Sequence, residues 1–327
     1  MKNVLRGLIF VTIALVAFPV ISILISEGTA HFFQTEEEAV PVLSQNTEAK
    51  TYPLIEEVRV YDVTTGSVIT LSIEDYLTYS VLGTLQMDAE DELIKAQAVL
   101  MYTYILGRRL EEESAPTTEL YGCDISTDTN KYVRLVSESD YIDKVRQAVK
   151  EVEGEYVTYS GSLIAPAYCV SNGGISESAF IVLGKDVPYL ISVESEYDSD
   201  YMTELYYTPD EIFARITTQN ESITLLGDPS EWIVITETTE TGYVTEVTIA
   251  GDITITGRQL ASWLNLPSAR FTVSYSNEFD RFTFSVSGSG HLVGLSQYGG
   301  NKMAEEGYSY KDIICFYFAE VEIASSE

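Results

Sequence analysis

The stretch IEDYLTYSVLGTLQMDAEDELIKAQAVLMYTYILGRR, residues 73–109, decides how the rest of the chain is read. In its first half Ile73, Tyr76, Leu77, Val81 and Leu85 recur at helical spacing and fall on one face. Ser72 with Asp75 three residues on is a weak capping-box start, since Asp is shorter than the preferred Glu. Met87-Asp88-Ala89-Glu90-Asp91-Glu92 then breaks the apolar pattern and reads as a loop into a second helix. Leu93 to Leu106 is apolar nearly all round, the pattern of a buried helix. Lys95 and Gln97 interrupt that run, and polar groups taken out of water need partners.

Upstream, Val58–Val63 and Ser67–Leu71 alternate around Thr65-Gly66, a hairpin that feeds the first helix. Downstream, Ile142, Val145, Val149 and Val152 give an amphipathic helix over Asp140–Val152. Tyr156–Ala165 reads as strand–turn–strand. From about Tyr206 to Tyr275 the composition shifts to Thr, Val and Ile in short alternating runs. Ile233–Thr238, Val244–Ile249 and Ile253–Thr256 predict antiparallel strands there. The fold class expected is α+β, helices with antiparallel sheet, and a β-rich arm inserted at about 200–280.

Asp and Glu outnumber Lys and Arg by 50 to 19, a net charge of −31. Such a surface repels nucleic acid and anionic lipid, so neither is expected as a partner. With 45% hydrophobic residues the chain has enough apolar material for a core and is not a disordered polyanion. Gly7 to Ile25 is almost wholly apolar behind Lys2 and Arg6, long enough to span a bilayer. No small-residue cleavage site follows it. We expect residues 1–27 to be an uncleaved anchor, 28–52 a polar tether and 53–327 the folded part, facing outward by the positive-inside rule. Cys123, Cys169 and Cys315 permit one disulfide and a free thiol, or three scattered thiols.

Two separated stretches carry a resemblance. The first is EDYL…VLG…QM…KAQAV…TY; the second is GSGHLVGLSQYG, Gly288 to Gly299. Together, and in this order, they resemble the stage II sporulation protein D family, which includes amidase enhancers. Its matching runs read EYL…EMP…KAQAVAARTYAL and GxGHGVGMSQYGA. Weaker echoes lie at Tyr121–Asp128, at Pro166–Gly174 (PAYCVSNGG, like AxYxSxxGG), at Gly257–Pro267 and at Tyr310–Phe318.

The resemblance implies a membrane-anchored cell-wall protein of sporulation acting on peptidoglycan glycan strands, with lytic transglycosylases among its relatives. In a spore former it implies the mother-cell membrane facing the forespore. Lytic cleavage needs one carboxylic acid that protonates the glycosidic oxygen and later acts as base. The family's acid is the Glu of "EM", and here that position is Gln86. An amide cannot donate that proton. The family's Arg of "RTY" falls on Tyr102, which removes a cation able to hold a carboxylate or sugar substituent. Lys95, in the KAQAV run, completes the candidate catalytic set.

For substrate binding, the glycine-flanked Tyr168, Ser171 and Asn172 and the second stretch's His291, Ser296, Gln297 and Tyr298 are the expected groups. A neutral His291 would orient a sugar or a neighbour rather than transfer a proton. Relatives that bind zinc do so near the Tyr121–Asp128 segment, but only Cys123 stands there and no His lies between His31 and His291. No metal or other cofactor is expected. The reading is a non-catalytic relative that grips glycan. The alternatives are an active lytic transglycosylase, with Asp88 or Glu90 replacing the missing acid, and a scaffold that activates an amidase.

Overall fold

The computed structural model describes residues 51–85 and 89–326. The expected anchor at 7–25 and most of the tether, with Gln86 and Asp88, lie outside the described residues. Among the described residues no helix is long and apolar enough to cross a membrane.

The chain opens with an antiparallel hairpin, β1 (Glu57–Asp62) and β2 (Ser67–Ser72), in the register Val58↔Leu71 and Val60↔Ile69. Ser72 caps α1 (Ile73–Thr84) by accepting the Asp75 N–H, and its own hydroxyl donates to the Asp75 carboxylate. Next comes α2 (Asp91–Ser114), the central helix; Leu93, Ile94 and the unbroken run from Ala96 to Thr103 are buried. It is buried all round because other elements cover it on several sides. α1, α3 (Ile142–Glu151), β4 (Glu155–Tyr159), α7 (Gln297–Glu305) and α8 (Tyr310–Tyr317) all pack on it. β3 (Ile125–Ser126) joins β1 in parallel.

Around this core stand small sheets. β4 pairs with β5 (Ser162–Leu163) and, on its other edge, with the C-terminal β14 (Val321–Ser325). β6 (Tyr168–Cys169) pairs in parallel with β13 (Leu295–Ser296). The short α4 (Ala179–Leu183) follows β6 in sequence.

Residues 202–287 hold two more three-stranded antiparallel sheets. One orders β8 (Ile233–Thr238), β9 (Val244–Ile249) and β10 (Ile253–Ile255) as β10-β9-β8; the other orders β7 (Met202–Tyr207), β11 (Phe271–Ser276) and β12 (Arg281–Ser287) as β11-β12-β7. Phe282, Phe284 and Val286 line the buried face of β12, the period of a sheet covered on one side.

The α+β class with antiparallel sheets is what the periodicity predicted. The Thr/Val/Ile-rich region differs in one respect: besides α6 (Gly257–Leu264) it contains a second helix, α5 (Pro209–Gln219). Thr208 caps α5 in a reciprocal box with Glu211, and Pro209 begins it. That signal, Thr-Pro-Asp-Glu, is legible in the sequence, and the strand-like composition around it masked it. The three cysteines are free, Cys123 and Cys169 buried and Cys315 exposed.

Candidate functional site

The 168–174 loop and the 288–299 loop are more than a hundred residues apart and meet through backbone. β6 pairs with β13 as Leu295↔Tyr168 and Ser296↔Cys169. Ser171 and Ser289 exchange N–H···O bonds of 3.2 and 2.8 Å. Beneath them sits a carboxylate, Asp198 in the acidic loop 194–200, that the sequence does not single out. Asp198 is fully buried. It accepts from Ser296 Oγ at 2.6 Å, the Asn172 N–H at 2.8 Å, Ser171 Oγ at 3.0 Å and the Gly174 N–H at 3.3 Å. A buried carboxylate persists when several donors replace its water, and here both loops supply them. Glycine is needed at two closing points. A Cβ at Gly173, whose φ is +61°, would strike Ser287, and one at Gly299 would strike the Tyr317 hydroxyl.

This arrangement changes what several expected binding residues do. Ser171, Asn172 and Ser296 are buried, with their polar atoms engaged by protein. Asn172 Nδ2 donates to the Gly294 carbonyl at 2.9 Å and its Oδ1 accepts from Cys169 Sγ at 3.0 Å. Ser296 Oγ caps α7 by accepting the Gly299 N–H at 3.1 Å. These three shape the loops; a sugar cannot reach them without displacing those bonds. Tyr168 is likewise buried, and its hydroxyl pairs with the Thr84 side chain; burial raises its pKa.

His291 Nδ1 accepts the Val293 N–H at 3.0 Å. Burial lowers the ring's pKa to about 4 against an opposing pull from the Tyr168 backbone, so the imidazole is neutral at pH 7. Tyr298 is half-buried and stands edge-on to Tyr201, ring centroids 5.1 Å apart, with Lys302 Nζ 5.7 Å from its own centroid.

α7 also reaches the first stretch. Gln297 Nε2 donates to the Thr84 carbonyl at 3.1 Å and to Gln97 Oε1 at 3.4 Å. Asn301 Oδ1 accepts the Glu90 N–H at 2.7 Å. Residues one turn apart on α7 therefore hold the chain on both sides of 86–88. The Gln97 Nε2 is buried and has no partner among the described residues.

Lys95 and Tyr102 do not join this cluster. At about 100° per residue Lys95 points roughly 200° around α2 from Gln97, and Tyr102 lies on the Lys95 side. Lys95 bridges Glu151 and Glu92, both at 2.7 Å, and these bonds raise its pKa. Tyr102 is buried; its hydroxyl accepts the Ile55 N–H at 3.2 Å and pairs with Ser326 Oγ at 3.0 Å. In this chain Tyr102 is a core residue on the side of α2 away from Gln97.

A second feature missed from sequence locks the 168–174 loop from the other side. Arg270, just before β11, donates to the Asn172 carbonyl at 2.6 Å and to Glu177 Oε1 at 2.8 Å. Both side chains of this ion pair are almost wholly buried, and Thr241 donates to the same carboxylate.

Chemically, the cluster offers backbone groups, amides, hydroxyls and a neutral imidazole. Among the described residues its carboxylates are engaged: Asp198 by four donors, and Glu177 by Arg270 and Thr241. Among the described residues no group of three or more His, Cys, Asp or Glu is placed to hold a metal ion.

Residues 61–159 match the family model described as Stage II sporulation protein. Stage II sporulation protein D of Bacillus amyloliquefaciens is 27% identical over 313 residues, which is 91% of this chain and 85% of that protein. The protein of the same name from Bacillus subtilis (strain 168) is 26% identical over 320 residues, 90% of each chain. The amidase enhancer of Bacillus subtilis (strain 168) is 24% identical over 288 residues, 72% of this chain but 38% of the longer relative.

Proposed function

Because the chain belongs to the stage II sporulation protein D family, we propose that it works in cell-wall remodelling during sporulation, gripping peptidoglycan glycan strands without cutting them. The observation that carries this reading is the clamp from α7. Gln297 and Asn301 hold the chain on either side of residue 86 by the Thr84 carbonyl and the Glu90 N–H, which supports reading the two resembling stretches as one site. At residue 86 itself the sequence supplies an amide. An amide can hydrogen-bond a sugar but cannot exchange a proton with a leaving oxygen. The neutral His291 and the saturated Asp198 do not replace that acid.

In this reading residues 7–25 hold the protein on the outer side of a membrane, in a spore former the mother-cell membrane facing the forespore. The kinship with an amidase enhancer supports a companion role, presenting strands to a wall amidase.

The test is incubation of the protein with denuded glycan strands, followed by sedimentation and product analysis. Binding with no new anhydro-sugar ends is expected. Anhydro-sugar ends formed by the wild-type chain would overturn the non-catalytic part. Gln86→Glu replaces amide by acid at constant size, and comparing it with wild type isolates what residue 86 contributes.

One observation favours the second reading, active cleavage. Glu90 is exposed, and Asn301 fixes its backbone beside the site. If the wild-type chain does release anhydro-sugar ends, Glu90→Gln should abolish them.

A further inference from the structure

The sheet β11-β12-β7 has a covered face and an outward one, and the outward face has an unusual make-up. Register aligns Thr272 with Ser285 and Glu204, and Ser274 with Thr283 and Tyr206. Alternation places all of these on the side opposite the buried Phe282, Phe284 and Val286. The hydroxyls of Thr272, Ser274, Thr283 and Ser285 hold no hydrogen bond to another described residue. In the strands' outer rows the charged groups are Glu204 and Arg281, which cancel, on a chain whose net charge is −31. At the sheet's edge Tyr206 is 48% exposed, and the Arg281 guanidinium lies over its ring at 4.4 Å.

The row ends at the candidate site. Ser287, the last residue of β12, donates its hydroxyl to the Gly173 carbonyl at 3.0 Å. The face is therefore continuous with the loop that Asp198 and Arg270 hold. Seven residues of β12 extend it for roughly 23 Å at about 3.3 Å per residue, enough for several sugar rings.

We propose that this hydroxyl-lined face is an accessory subsite that carries a strand of N-acetylated amino sugars away from the Gly173 loop, an inference that rests on the glycan-binding reading. Three features select that occupant. Rows of free hydroxyls about 4.8 Å apart between strands match a ligand that presents hydroxyl and acetamide groups along its length. The face has no net charge, so it adds no repulsion towards a polysaccharide on a strongly acidic protein. A protein partner would want a large apolar centre, and Ser is depleted at such interfaces; here the large exposed apolar side chains, Met202 and Tyr206 on the edge strand and Phe279 in the β11–β12 turn, sit at the rim and leave the centre to hydroxyls.

The test uses the full chain with two probes, uncharged N-acetylglucosamine oligomers and denuded glycan strands. The variant Thr272→Val/Ser274→Ala/Thr283→Val/Ser285→Ala removes four hydroxyls from the outward face, two exposed and two half-buried, and keeps the strand registers. Tyr206→Leu, a single exposed change, serves as the second variant should the first fold poorly. The expected result is a tenfold or greater loss of affinity in the quadruple variant and a smaller loss in Tyr206→Leu, with unfolding midpoints unchanged. Oligomer binding should also persist as salt is raised. Wild-type affinity in both variants would overturn the subsite and leave the glycan reading standing. A wild-type chain that binds neither probe would overturn both.

Discussion

Asp198→Asn is the substitution on which the site's construction turns. Oδ2 receives Ser296 Oγ, the Asn172 N–H and Ser171 Oγ, while Oδ1 receives the Gly174 N–H. An asparagine would best keep its oxygen where three donors converge. Its NH2 would then face the Gly174 N–H, donor against donor. Hydrogen bonds to a charged acceptor contribute about 1.5–3 kcal/mol each and neutral ones about 0.5–1.5, so three weakened bonds cost about 3 kcal/mol. One unsatisfied N–H adds about 1–3 kcal/mol. Relief from desolvating the carboxylate works the other way. Four donors still point at the group, however, so we expect a net loss of about 3–5 kcal/mol. That is a large share of the roughly 5–15 kcal/mol of a typical domain. Urea unfolding followed by tyrosine and tryptophan fluorescence reads it directly. With a slope of about 3 kcal/mol/M the midpoint should fall by roughly 1–1.7 M. A fall below about 0.3 M at unchanged slope would show that the loops do not depend on this carboxylate.

Four further outcomes follow from the same geometry. His291 is held neutral, its pKa lowered from 6.5 to about 4, so its contribution is full above pH 6.5 and is lost as pH falls towards 4. The stability of His291→Gln should therefore fall less than wild type over that window, by roughly 2–3 kcal/mol, in urea titrations at successive pH values. Arg270→Met leaves Glu177 buried beside Thr241 alone and should cost about 3–5 kcal/mol in thermal unfolding, with part recovered in Arg270→Met/Glu177→Leu. Tyr102→Phe strands the Ile55 N–H and should cost about 1–2 kcal/mol by urea unfolding. Tyr102→Arg should destabilise by more than Tyr102→Phe in the same assay, since it buries a charge where the hydroxyl's partners among the described residues are the Ile55 N–H and Ser326 Oγ.

The chain's local elements were legible in the sequence. The hairpin at Thr65-Gly66, the Ser72 cap, α1, α3 and the β8–β10 strands all follow from periodicity and capping over a few residues, which sum short-range preferences. The near-continuous apolar run of α2 likewise announced a central helix. α5 shows the limit of composition: the Thr208–Glu211 box outweighed its strand-like surroundings.

Partner choice was not legible. The residue types of the two loops pointed to a site, but the sequence could not say that Ser171, Asn172 and Ser296 would spend their bonds on Asp198. Nor could it say that Arg270 would reach the Asn172 carbonyl across almost a hundred residues of chain, or that Tyr102 would turn away from Gln97 towards Ile55. Helical spacing fixes only the angle between side chains on α2; what each one meets depends on which distant elements pack there. A buried donor takes whichever acceptor the closed fold brings within about 3 Å. That proximity exists only once β6 and β13 have paired and the acidic loop has folded beneath them.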